Sequence, residues 1–334
     1  MISIAPHITA FLRVRLPVER RASPNTCDTY AYAFQLLFEF AGKKLKVSPS
    51  DLCLEHLDAP LILAFLAHLE NERHCCPSSR NARLTAIKSF FGYVQYRVPS
   101  SLEQVRSVMA IPIKKTESRL VGYLSVDEMN ALLNGPDPST RSGIRDRGML
   151  RLAVEAGLRV SELVNLRLND VSFQPAPHVL VRGKGRRERQ LPLCKETATA
   201  LRAWLAVRGE ALVPELFLNA CDQSLSRSGF EYILAKHAAG AVERCSSLTK
   251  KRISPHVLRH TCAMNVLQAT KDLRKVSLWL GHAQMQTTEV YLRADPTEKL
   301  EIIESMTHPR LRRGHFRPVD KLLASLRGQK NMRS

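Results

Sequence analysis

A chain of 334 residues that is 44% hydrophobic and 24% charged is long enough to bury the cores of two ordinary domains, which excludes a disordered or fibrous polymer. No apolar run approaches the roughly 20 residues that a membrane span needs. The stretch Met1–Leu16, interrupted by His7, Arg13 and Arg15, lacks a signal-peptide core, so a cytosolic, nucleoid-associated chain is expected. The 50 Lys+Arg against 31 Asp+Glu leave a formal +19, an excess that points to a polyanionic partner, nucleic acid before a membrane surface.

In chain order, the first 110 or so residues predict four helices. Ile4, Ile8, Phe11 and Leu12 begin one, and Tyr30, Phe34, Leu37 and Ala41 share a face of the second. The third is capped by Asp58, has Pro60 in its first turn and turns Ile62, Phe65, Leu66 and Leu69 inward. The fourth, from Ser78, stripes Leu84, Ile87, Phe91 and Val94 inward and leaves Arg80, Arg83 and Lys88 on another face. That basic face is either a DNA contact or a solvated helix surface.

Residues 111–122 lack periodicity and carry Lys114 and Lys115, as an extended basic linker would. Residues 1–115 hold 15 Lys+Arg and 9 Asp+Glu, a net of +6, so both sides of the linker are basic. Two basic halves on a joint suggest a clamp that closes around a duplex.

Beyond the linker, Ser125 and Glu128 form a capping box, and a helix through Met149, Leu150 and Ala153 ends at Gly157. Ser161 is expected to cap the next helix. His178–Arg182 alternates as a strand, Glu188–Leu193 supplies its partner, and Gly183 to Arg187 turns between them. Helices follow around Trp204 and Phe230. Ser254 and Pro255 open another helix, placing His256 and Arg259 three residues apart on one face. A helix from Leu273 stops at Gly281 with His282 in the turn beyond, and Tyr291 lies on a short helix opened by Thr287-Thr288. The eight cysteines (Cys27, Cys53, Cys75, Cys76, Cys194, Cys221, Cys245, Cys262) lack metal-ligand spacing and are expected to be reduced and mostly buried, with no metal site. Residues 298–334 form a tail in which Glu298–Met306 is amphipathic and 308–317 is basic.

These residue types suit metal-free attack on a phosphodiester. Such a reaction needs a nucleophile, cations on the non-bridging oxygens, an acid for the leaving oxygen and a base for the attacker's proton. Arg159 and Arg259 can grip phosphate oxygens bidentately, and Lys184, on its glycine-flanked tip, can follow a leaving oxygen. Histidine as a residue type can exchange protons with an attacking or leaving group near neutral pH, and His256 and His282 are available. Tyr291 can attack if positive charge surrounds it. His260 is taken as a packing histidine.

The motifs G-L-R-V-S-E-L (157–163), V-R-G-K-G-R-R-E-R-Q-L-P-L (181–193), P-H-V-L-R-H-T (255–261), L-G-H-A-Q-M-Q-T-T (280–288) and Tyr291 resemble, in order and spacing, those of the tyrosine recombinases, or phage-type integrases, and among them the Xer-like bacterial members. The likeness covers about 123–293 and, more loosely, the helical part before it, including S-S-R-N-A-R-L-T-A-I-K-S-F-F (78–91). It implies a mainly α fold with a small antiparallel sheet (α+β): a helical core-binding domain (1–110), a linker (111–122), a catalytic domain (123–297) and the tail, forming a C-shaped DNA clamp. It implies that Arg159 and Arg259 hold the scissile phosphate, Glu162 supports them, and Lys184 protonates the 5′ oxygen. His256 would act in acid/base transfer, His282 would bond the phosphate, and Tyr291 would form a 3′-phosphotyrosine, without ATP, metal or other cofactor. Arg182, Arg186, Arg187 and Arg189, with Arg80, Arg83, Lys88, Lys114 and Lys115, are then DNA contacts. Arg310, Arg312 and Arg313 in the tail are expected to touch DNA as well.

The expected activity is site-specific recombination of double-stranded DNA, integrating or excising a mobile element. It would run in a homo- or hetero-tetramer, with or without a partner recombinase, the tail docking on a neighbouring protomer. A type IB topoisomerase and a DNA-binding protein without catalysis are the rival readings.

Overall fold

The computed structural model describes residues 1–117, 121–183, 188–282 and 285–294, and the chain divides into two compact units, Met1–Ser118 and Arg119–Ser334. The first unit is helical: α1 (Ile4–Ala10), running on into a π-helical stretch (Phe11–Glu19), α2 (Pro24–Leu45), α3 (Ala59–Asn71), α4 (Pro77–Val94) and α5 (Leu102–Met109). The starts follow local chemistry. The Ser23 hydroxyl accepts from the Thr26 N–H with Pro24 at the first helical position, and Asp58 accepts from Leu61 N–H at 2.8 Å ahead of α3. Phe11, Phe34 and Phe90 meet edge to face at 5.3–6.2 Å in the core, beside buried Phe65 and Phe91. A fifth helix, α5, joins the four expected. It buries only Val105 and Val108, too short a stripe to register as a period.

One expectation for the basic face of α4 is corrected. Arg80 is 4% exposed, and its guanidinium donates to the Pro112 carbonyl at 2.9 Å and to Asn81 at 3.2 Å. It is a tie between α4 and the chain after α5, not a cation offered to DNA. The start of the linker is likewise fastened, since Asn81 Nδ2 donates to Lys114 O at 2.7 Å and Lys114 N–H to Asn81 Oδ1 at 3.1 Å. Lys88 donates to the Met109 carbonyl at 2.7 Å, Lys114 pairs with Glu70 at 2.9 Å, and Arg83 lies over the Tyr32 ring at 5.0 Å. Lys115 is exposed.

The second unit combines packed helices with a three-stranded antiparallel sheet. It comprises α6 (Val126–Leu133), α7 (Arg141–Ala156), α8 (Val160–Val164), β1 (Val171–Ser172), β2 (His178–Arg182), β3 (Glu188–Pro192), α9 (Lys195–Arg208), α10 (Arg227–Ala241), α11 (Pro255–Thr270), α12 (Leu273–Leu280) and α13 (Gln286–Ala294). The strands run in the order β1-β2-β3, with Val179 opposite Leu191 and Val181 opposite Arg189. Val179, Val181 and Leu191 are buried and join Met149, Leu150, Trp204 and Phe230 in the core. The capping box of α6 forms as expected, and its Glu128 also holds Ser247 and Lys251, each at 2.6 Å. Strand β1 is only two residues long and gave no periodic signal.

Ser161 does not cap α8. That position is Arg159, whose N–H is held by Glu162 Oε2 at 2.9 Å, so the arginine itself sits at the helix mouth. The cysteines are also more open than expected: Cys262 is buried, four are part-buried, and Cys76, Cys194 and Cys221 are exposed, none of the eight joined to another. Among the described residues no helix is long and apolar enough to cross a membrane.

Candidate active site

Two helix stops create the socket for Arg259. α7 ends at Gly157 (φ +60°) and α12 at Gly281 (φ +64°), both in the left-handed region that glycine enters without penalty. Carbonyls at a helix C-terminus have no intrahelical donor and carry the negative end of the dipole. Arg259 supplies the donors, one NH group to Gly157 O at 2.5 Å and the other to Leu280 O at 2.7 Å. Trp279 Nε1–H and the Cys262 thiol both donate to Glu155 O, at 3.2 and 3.1 Å, tying the end of α7 to α12 and α11.

Gly157 is needed twice over, because a Cβ there would also lie 2.6 Å from Leu280 Cδ2 and 2.8 Å from Cys262 Sγ. Gly157→Ala is expected to destabilise the protein by about 2–4 kcal/mol, about 1 from the positive φ and the rest from forced repacking. Urea unfolding measures it, and a loss below about 1 kcal/mol would contradict this account of the socket.

Glu162 is the hub of the site. Its buried carboxylate accepts from Arg159 NH1 at 2.8 Å and from Arg189 at 2.8 and 3.3 Å, while Arg259 NH1 lies 3.9 Å away. Burial alone would raise this carboxyl, but the Arg189 hydrogen bond and charge, with the Arg159 N–H and charge, outweigh it and hold it below the usual range. Arg259 is pushed down to about 10, by burial first and then by Arg159, Glu162 opposing, and stays cationic at neutral pH. Arg159 keeps 35% of its side chain exposed. Three guanidiniums thus surround one carboxylate, and that of Arg159 is open to an incoming anion.

The expectation for Arg189 is corrected as well. Its side chain is 11% exposed, it grips Glu162, and its Nε is buried without a partner, so it braces the site from beneath and does not face a DNA backbone. Arg182 is half exposed and bonded to Asp170 and Glu188. Lys184, Arg186 and Arg187 lie outside the described residues, as do Arg310, Arg312, Arg313 and the rest of 295–334.

Tyr291 on α13 comes to this cluster but is only 2% exposed. Its hydroxyl is 3.0 Å from His260 Nδ1, and its ring stacks on that of His282 at 6.4 Å and 10°. Burial pushes the phenol up to about 12, with Arg259 pulling the other way. His282 is hydrogen-bonded through Nδ1 to the Thr288 hydroxyl at 2.8 Å and lowered to about 4, by burial and then by Arg259 and Arg159. His260 is lowered to about 4 by burial, then by His256 and Arg259. His256 stands exposed on the same face of α11.

Since both histidines are held neutral in the fold, the unfolded chain binds more protons on acidification. Stability is therefore expected to be full above pH 6.5 and to fall progressively down to about pH 4. The urea midpoint at pH 7 and pH 4.5 measures this, and an unchanged midpoint would contradict the neutral assignment.

Two residues here were not foreseen in these roles: His260, expected only to pack, and Thr288, which fixes the His282 ring. A helical step of four from His256 to His260 and the three-residue step from Thr288 to Tyr291 were the available signals.

Residues 122–298 match the phage integrase family. An integrase/recombinase of Sinorhizobium fredii strain NGR234, y4rC, is 43% identical over 97% of this chain and 98% of its own length. The tyrosine recombinase XerC of Pelotomaculum thermopropionicum is 34% identical over 91% and 98%. Among solved structures, the Tn1549 transposon integrase (residues 82–397) in complex with circular intermediate DNA superposes with a TM-score of 0.68 at 15% identity, covering 90% of this chain and 99% of that one.

Proposed function

The chain belongs to the phage integrase family, and from that premise we propose that it cuts and rejoins double-stranded DNA at a specific site through a 3′-phosphotyrosine intermediate. The observation that carries the reading is the gathering of Arg159 and Arg259 on the buried carboxylate of Glu162, with Tyr291 within reach of the charge of both arginines. The two arginines hold the non-bridging oxygens of the scissile phosphate, where negative charge grows during attack. Glu162 and Arg189 fix their positions, and His282, oriented by Thr288, hydrogen-bonds the phosphate. His256, exposed on the same helix face, exchanges protons with solvent or substrate. Lys184 protonates the departing 5′ oxygen. The 5′ hydroxyl of a second strand then attacks the phosphotyrosine and reverses the chemistry, so the bond's energy is kept within the covalent link.

Residues 1–110 and 123–297 act as core-binding and catalytic domains, joined by the basic linker 111–122, with Arg83, Lys88, Lys114, Lys115 and Arg182 toward the DNA backbone. Contacts of this kind set affinity and salt dependence more than sequence choice. The synaptic assembly is a tetramer of this chain or of this chain with a partner recombinase, serving the movement of a mobile element. Deleting residues 308–334 is expected to spare binding at a single site and to impair synapsis. Gel-shift assays on one-site and two-site DNA check this, and intact synapsis would contradict it.

The reading is tested with a nicked suicide substrate made from DNA flanking the gene, in which the cleaved fragment diffuses away. A covalent complex confined to one sequence is the expected result. Relaxation of supercoiled plasmid with no sequence preference would favour topoisomerase chemistry instead.

A further inference from the structure

We propose that His260 is a further catalytic residue of this site: through Nδ1 it accepts the Tyr291 hydroxyl proton as the phenolic oxygen attacks. The assignment rests on the strand-exchange reading above. Its basis is geometric. Among the described residues, His260 is the side chain in hydrogen-bond contact with Tyr291 Oη, at 3.0 Å, within the 2.6–3.2 Å or so that a general base needs. The other two histidines are placed for different tasks. His282 spends its Nδ1 on Thr288 and offers Tyr291 only a stacked face, and His256 is exposed on the first turn of α11.

His260 also follows Arg259 directly on α11, so the group that grips phosphate and the group that receives the proton are adjacent on one rigid element. Tyr291 itself is buried, away from the bulk water that could otherwise take its proton. The groups bearing on His260 are His256 and Arg259 from its own helix, Tyr291 from α13, and His282 beyond α12. A phosphodiester anion held by Arg259 offsets one of the positive charges that depress the ring, so binding substrate raises the basicity of His260 when it is required.

In the step, the Tyr291 O–P bond forms as the P–O5′ bond breaks. The phenol proton passes to His260 Nδ1, the ring holding its other proton on Nε2, and the leaving 5′ oxygen takes a proton from a general acid, the role proposed for Lys184. On rejoining, the imidazolium returns its proton to the departing phenolate. Protons and charge balance with no further reactant.

The test is single-turnover covalent capture on the suicide substrate by the native chain, Tyr291→Phe, His260→Asn and His260→Leu. Asparagine keeps a hydrogen-bond acceptor beside the phenol but cannot take its proton. His260→Asn is expected to bind DNA and to unfold like the native chain, yet to capture DNA about 10²–10⁴ times more slowly. Fluorotyrosine at position 291, whose phenol ionises well below that of tyrosine, separates proton transfer from ring placement. With it, the gap between native and His260→Asn is expected to shrink at least about tenfold.

Capture by His260→Asn at the native rate, or faster capture by His260→Leu, overturns the assignment and makes the contact a mere parking place for the tyrosine. A slow His260→Asn whose deficit does not shrink with fluorotyrosine also overturns it, leaving His260 as a support. Absence of capture by the native chain overturns the strand-exchange reading and the assignment with it.

Discussion

Tyr291→Phe is expected to lower covalent capture of DNA by a factor on the order of 10⁵ or more, to below detection, while the affinity for uncut DNA stays within about twofold. The change deletes one oxygen that is almost wholly buried, bonded to His260 at 3.0 Å, and phenylalanine refills the space between His282 and the apolar cluster of Cys262, Met264 and Leu280. The loss of one buried hydrogen bond costs about 1 kcal/mol, so the variant stays folded and binding remains measurable. Persistent capture would mean that a different side chain attacks. Loss of binding together with capture would mean that the hydroxyl's contacts, not its nucleophilicity, were removed.

Glu162→Gln has the second largest expected effect, and on two observables. The carboxylate at the hub is contacted by Arg159 and Arg189 and lies near Arg259, two of these arginines largely buried. Removing one partner from a buried ion cluster leaves uncompensated charge, which typically costs about 3–5 kcal/mol. Glutamine keeps the shape but not the charge, so mutual repulsion should displace Arg159, whose N–H and guanidinium both rest on Glu162. A displacement on the order of 1 Å in a phosphate-holding group costs about 10²-fold in rate. Guanidinium unfolding and capture kinetics measure the two effects. Native stability in Glu162→Gln would show that the arginines find other partners and that the hub does not organise the site.

Much of this was legible in residue order. Gly157 and Gly281 marked helix ends because left-handed backbone there needs glycine, Ser125 and Glu128 announced α6, and the spacings across 254–291 brought Arg259, His282 and Tyr291 to one place. Some errors were avoidable by stricter periodicity. Arg80 lies on the stripe of Leu84, Ile87 and Phe91, so a helical count places it inward. Arg189 lies two residues before Leu191, on the buried face of β3. Other features depended on contacts remote in sequence: that Tyr291 would meet His260 is decided by how α13 packs on α11, and that Arg259 would be held by Gly157 and Leu280 carbonyls is decided by three helices converging. No local pattern encodes such meetings.

On the proposed function, Tyr291 carries the DNA strand by its 3′ end. The most direct measurement is to trap the covalent complex on the suicide substrate, digest it and sequence the nucleotide-bearing peptide by mass spectrometry. A single adduct is expected, a 3′-phosphate esterified to Tyr291, with a free 5′ hydroxyl on the released fragment. An adduct on any other residue, or one joined through a 5′ phosphate, would contradict it.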